Sequence, residues 1–177
     1  ALAEAEIEYR ERRSPAIDVA FPAADPGALA AAFGVRWADA AAVPVWTTTP
    51  WTLPGNQAVA LGPDLGYALV AAELEDGRSL ALVLAEPLVR QALERYRARS
   101  AQTLARRPGR ALEGLRLRHP YEPRTVPVVL GEHVLAEEGT GAVHTAPGHG
   151  EEDFVVGERY GLPVSCPVEG DGRFAPG

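Results

Sequence analysis

Short apolar runs recur along this 177-residue chain, broken by turns rich in glycine and proline. Residues 4–12 and 16–21 read as strands on either side of Ser14-Pro15. Residues 43–48, 58–61, 67–74 and 80–84 follow the same pattern, the last two joined by the hairpin turn Glu75-Asp76-Gly77-Arg78. Residues 126–130, 133–135 and 141–145 complete the strand set. Helical signals are fewer. Asp25-Pro26-Gly27 turns into a short helix over 28–33 that ends at Gly34. Pro87 opens a second helix, with Leu88, Val89, Ala92, Leu93 and Tyr96 in one apolar stripe. A third helix over 151–160 is stopped by Gly161-Leu162-Pro163. The pattern predicts a mainly β fold with flanking helices (α+β), a closed or nearly closed β-barrel. A single domain over 1–177 is expected, with 86–125 as a helix-and-hairpin sub-lobe.

Composition narrows the class. With 46% hydrophobic residues the chain buries a core, and no apolar run of about 18 residues marks a membrane span. The N-terminus shows no charged-then-apolar leader, and the single Cys166 rules out an intrachain disulfide, so a cytoplasmic setting is expected. Cys166, between Ser165 and Pro167, reads as a small buried residue. The chain opens on Ala1 and holds no Met, which suggests a piece of a longer protein. All 17 basic residues are Arg, and 16 prolines accompany a single asparagine, Asn56, a bias of GC-rich or thermophile sources. Net charge is −7, against autonomous, tight nucleic-acid binding. Ten Arg against three Glu fall between Arg90 and Arg124, so a local basic band faces an acidic remainder. Such a band either guides a phosphate backbone or is a solvated face.

Two peptides carry the candidate chemistry. In Trp46-Thr47-Thr48-Thr49-Pro50-Trp51-Thr52-Leu53-Pro54, β-branched residues stiff at χ1 aim hydroxyls in fixed directions. Pro50 and Pro54 exclude their predecessors from the helical region, which predicts a kinked strand end walled by Trp46 and Trp51, with the Asn56 amide nearby. The same residues also suit an ordinary strand running into a core. The second peptide, Gly139 to Phe154, leads through Gly139, Gly141, Gly148 and Gly150 into a helix, and these glycines would let a ligand approach the backbone. Asp153 falls in that helix's first turn, where the macrodipole favours an ionised carboxylate able to receive an ammonium. His144 and His149 lie five apart beside it, as structural groups or as site residues.

His144, His149 and Asp153 also form a candidate metal set, but their spacing is not the single-helix His-Glu-x-x-His pattern and no fourth ligand stands out. There is no Gly-x-Ser-x-Gly elbow, and no Gly-Lys-Ser/Thr follows Gly139-Thr140-Gly141 to make a phosphate loop.

These two peptides resemble the signatures of the editing insertion (connective polypeptide 1) of class I aminoacyl-tRNA synthetases for branched aliphatic amino acids. The valyl and leucyl members usually carry Arg at the position of Thr49, an acid at that of Trp51, and no histidine at that of His144, so the resemblance is to the isoleucyl branch. Residues 6–21 resemble that family's opening strands. The adenylate-forming signatures, His-x-Gly-His and Lys-Met-Ser-Lys-Ser, are absent from this chain.

The resemblance implies an aminoacyl-tRNA deacylase that removes valine misattached to isoleucine tRNA, with valyl-adenylate as a further candidate substrate. One methylene discriminates by only about 1–3 kcal/mol, a limit for which isoleucine and valine are the standard illustration, so a second, smaller site must destroy the wrong product. It further implies that Asp153 binds the α-ammonium and that His144 and Thr52 border the valine side chain. Thr48, Thr49 and Asn56 would hold the terminal adenosine, the ester and an attacking water, with Thr47, Trp51, Ala146 and His149 completing the pocket. The implied partners are the acceptor end of tRNA and the rest of a parent synthetase. No cofactor, no membrane association and a monomer are expected. A non-catalytic module docking the tRNA acceptor end, or a His/Asp metal hydrolase, are the alternatives.

Overall fold

A computed structural model describes residues 15–175. The strand expected over 4–12 lies outside these residues. In chain order, β1 is Ile17–Pro22, α1 Pro26–Ala32, β2 Ala41–Thr47, β3 Ala58–Leu61, β4 Gly66–Leu74 and β5 Ser79–Ala85. Then come α2 at Val89–Arg95, β6 Ala98–Pro108, β7 Arg116–Arg118, β8 Thr125–Leu130, β9 Ala142–Thr145 and α3 Glu151–Tyr160.

The strands form two sheets, ordered β1-β2-β5-β4-β6 and β7-β8-β3-β9. The fold is mainly β with helices, as expected. Among the described residues neither sheet closes on itself; an antiparallel bridge between Ala23 and Leu117 ties the corner where β1 runs out toward β7. One apolar core joins the two: Val43, Val45, Leu69 and Val83 of the first sheet pack with Val59, Leu61, Leu117, Val126 and Val128 of the second. A second cluster seats α2, whose predicted stripe meets Ala42, Leu82 and Leu84.

Local chemistry explains most boundaries. Asp25 caps α1 by accepting from the Ala28 N–H at 3.0 Å, with Pro26 at the first helical position. Gly161 adopts a left-handed conformation (φ 62°) and ends α3, and the Leu162 N–H returns to the Gly157 carbonyl. Arg95 forms a two-pronged ion pair with Asp18 at 2.7 and 2.8 Å and donates to the Gly139 carbonyl, so α2 ties β1 to the glycine-rich peptide.

Three expectations change, and one strand is new. Residues 133–135 are not a strand: the Val134 N–H closes a turn on the Gly131 carbonyl. The segment 86–125 gives β6 to one sheet and β7 to the other. β6 went unpredicted because it is an edge strand, exposed over much of its length, and edges lack the apolar alternation that signals a half-buried strand. Cys166 is exposed, with its thiol directed to the Val168 carbonyl.

Candidate functional site

The threonine peptide is a turn. β2 ends at Thr47, and Pro50–Gly55 winds as a 3₁₀ helix with Pro50 in its first turn. The fixed φ of proline suits a tight helical start as well as the strand end expected from the sequence, so it does not separate the two. The Thr52 N–H bonds the Thr49 carbonyl at 3.1 Å, and the Asn56 N–H bonds Leu53 at 3.0 Å. The Thr49 N–H donates to the Thr47 hydroxyl at 3.0 Å. Thr48 and Thr49 are exposed on this turn, and Thr52 and Asn56 face inward.

β9 brings in the second peptide. It pairs antiparallel with β3, setting His144 opposite Val59, just beyond the turn. The His144 imidazole then meets two groups of the turn: Thr52 Oγ1 at Nε2, 2.8 Å, and Asn56 Nδ2 at Nδ1, 3.3 Å. An amide NH₂ only donates, so Nδ1 accepts and the neutral ring carries its proton on Nε2. That proton goes to Thr52 Oγ1, leaving the threonine hydroxyl to donate to the Thr49 carbonyl at 2.8 Å. The other Asn56 amide proton goes to the Ala58 carbonyl. Burial, reinforced by the positive fields of His149 and His119, pushes the His144 pKa down from 6.5 to about 4. With both nitrogens engaged, His144 is neither a free base nor a ready metal ligand. Among the described residues no three His, Cys, Asp or Glu side chains converge as a metal-binding group.

His149 makes the second junction. A Cβ at Gly55 would lie 2.9 Å from its Cδ2, so only glycine lets the ring seat there. Asp153, half-buried at the start of α3, accepts from the Ala146 N–H through Oδ2 at 2.9 Å. Its pKa moves upward, chiefly by burial, which outweighs the Ala146 hydrogen bond and the fields of His133 and His149. The helix macrodipole by itself would lower it.

Other expectations shift. Trp51 is 46% exposed, and Trp46 packs on Gly139 in a separate cleft beside His133 and Leu135, so the two indoles do not wall one cavity. Nor do the glycines keep space open: Cβ atoms at Gly141 and Gly148 would strike Ala85 and the Ser165 carbonyl. His133, whose field reaches Asp153, and His119 beneath the turn were not singled out; a lone histidine gives no periodic signal.

A family model described as "Leucyl-tRNA synthetase, editing domain" matches residues 28–174. The chain belongs to the leucyl-tRNA synthetase editing-domain family. Relatives are isoleucine–tRNA ligases: one from Nitrosococcus oceani is 56% identical and one from Coxiella burnetii 52%, each over 99% of this chain. The chain spans 19% of the length of these relatives. The fold resembles the crystal structure of GlLeuRS-CP1, with TM-score 0.64 and 15% identity over 85% of this chain and 66% of that one. A Plasmodium falciparum cytosolic leucyl-tRNA synthetase editing domain gives 0.57 at 13% identity, covering 66% of this chain and 45% of that chain. No helix among the described residues is long and apolar enough to cross a membrane.

For this editing domain the depressed His144 pKa has a pH signature. A lowered histidine pKa favours the neutral folded form, so its contribution is full above pH 6.5 and is lost as pH falls toward 4. The loss amounts to roughly 3 kcal/mol. Urea unfolding across that window should show a steeper decline in the wild type than in His144→Gln; equal slopes refute the assignment.

Proposed function

We propose that this editing domain hydrolyses valine from misacylated isoleucine tRNA, with valyl-adenylate as a second substrate form. The observation that carries it is the Thr52–His144 hydrogen bond, which joins residues 92 apart in sequence and sets the two signature peptides against each other, while Asp153 bonds the second of them at the Ala146 N–H. The identity to isoleucine–tRNA ligases supports the choice of amino acid.

In this reading the Asp153 carboxylate pairs with the substrate α-ammonium. Its upward-shifted pKa means burial opposes its charge, and an arriving cation would offset that cost. Thr52 and His144, held rigid by mutual bonding, limit the side-chain space to valine. Thr48 and Thr49, exposed on the turn, face the adenosine and the ester. An aminoacyl ester is already activated, so orientation of a water and donors toward the developing oxyanion account for the rate. Neutral, doubly bonded His144 is not the base, and a ribose hydroxyl of the substrate can take that part.

The test is the isolated chain with valyl-tRNA for isoleucine. Turnover insensitive to chelator supports editing. Absence of turnover makes the chain an inert docking module, and loss with chelator makes it a metal hydrolase. Trimming Thr52 to Ala should let isoleucyl-tRNA be cleaved, at a discrimination loss of about 1–3 kcal/mol. Unchanged selectivity would place the sieve elsewhere.

A further inference from the structure

Two histidines hold the threonine turn. His144 bonds Thr52 and Asn56; His119, 4% exposed and outside both signature peptides, meets the turn at its backbone. His119 Nε2 stands 3.1 Å from the Leu53 carbonyl oxygen, and its Nδ1 lies 3.1 Å from the Glu122 backbone N–H. A carbonyl only accepts and an N–H only donates, so the ring is neutral with its proton on Nε2, aimed at Leu53. Burial first of all lowers its pKa, in keeping with that state. The ring is wedged edge-on between Phe21 of β1 and Tyr121, with centroids 6.0 and 4.6 Å away.

The Leu53 carbonyl also accepts from the Asn56 N–H, the bond that closes the 3₁₀ turn. His119 therefore donates to the same oxygen that fixes Asn56, whose amide in turn sets the His144 tautomer. Arg124 adds a weaker contact, 3.5 Å to the next carbonyl, Pro54, and is itself paired to Glu122.

We propose that His119 is a positioning residue for the editing site: through the Leu53 carbonyl it fixes the turn from which Thr52 and Asn56 reach His144. What is positioned rests on the proposed function; the contact itself does not. His119→Phe keeps the ring and its edge-on packing and removes both hydrogen bonds. His119→Gln keeps a donor for Leu53.

The experiment records imidazole ¹⁵N spectra of the 177-residue chain and of both variants at neutral pH, with melting curves and deacylation kinetics on valyl-tRNA. Wild type should show His119 and His144 both as Nε2–H rings. In folded His119→Phe the His144 nitrogens shift, and kcat falls about tenfold while KM changes little, as for loss of one buried hydrogen bond that orients the site. His119→Gln restores both readouts. Unmoved His144 nitrogens and an unchanged kcat in His119→Phe overturn the proposal. If that variant fails to fold, the wild-type tautomer decides, because an Nδ1–H ring at His119 overturns it. A wild type without deacylation refutes the proposed function alone, since the His144 nitrogens still report on His119.

Discussion

Asp153→Ala lowers kcat/KM for valyl-tRNA hydrolysis by about 2–5 kcal/mol, the cost of leaving a buried cation without its partner, and leaves the fold intact. The carboxylate stands at the first turn of α3, half-buried, with Oδ2 committed to the Ala146 N–H. Burial raises its pKa, so its contribution to stability is present at low pH and is lost as pH rises through the folded value. A charged carboxylate there is therefore a stability cost retained at the candidate site. Asp153→Asn keeps an oxygen for Ala146 and carries no charge. It should melt no lower than the wild type at neutral pH and still lose hydrolysis. Wild-type turnover in either variant removes Asp153 from ammonium binding, and a lower melting point for Asn removes the electrostatic account.

Gly141→Ala strongly destabilises the domain. Gly141 has φ 75°, and a Cβ built there lies 2.2 Å from the Cβ of Ala85 on β5. The backbone has nowhere to retreat, because the Gly141 carbonyl accepts from the buried Tyr67 hydroxyl at 2.5 Å and Thr140 holds the Ala85 N–H at 2.9 Å. Conformational strain and overlap in the core together cost about 4 kcal/mol, or roughly 8–16 °C in melting temperature for a domain of this size. Gly161→Ala is the control. Its φ of 62° carries the conformational penalty, but nothing lies within 4 Å of the added carbon, so about 1 kcal/mol is expected. Equal losses at the two glycines would mean that the contact with Ala85 contributes nothing.

Gly141 also shows how far the sequence could be read. A glycine-rich approach to a helix was legible, and so were the helix, its glycine stop and the acid in its first turn. Which body presses on Gly141 was not, since that depends on Ala85 at the end of β5, far earlier in the chain. The β4–β5 hairpin announced itself through Asp76-Gly77, whose geometry is local. β6 did not, because a rim strand of Arg, Ala and single polar residues, with Leu104 its one large apolar side chain, has no apolar period. The threonine peptide gave its residue types but not its shape, for proline is at home in both a strand end and a 3₁₀ start. The meeting of Thr52 with His144 followed from no spacing; the β3–β9 register decides it. His119 was silent for the same reason: its partner is a carbonyl 66 positions away.

Among the described residues β6 is the last strand of its sheet, and its outer edge is the kind of margin on which a foreign chain could build. Arg99, Arg106 and Arg107 stud that margin, and Pro108 ends it. Arg106 is paired with Glu86, and the like charges of Arg99 and Arg107 would oppose two copies laid margin to margin.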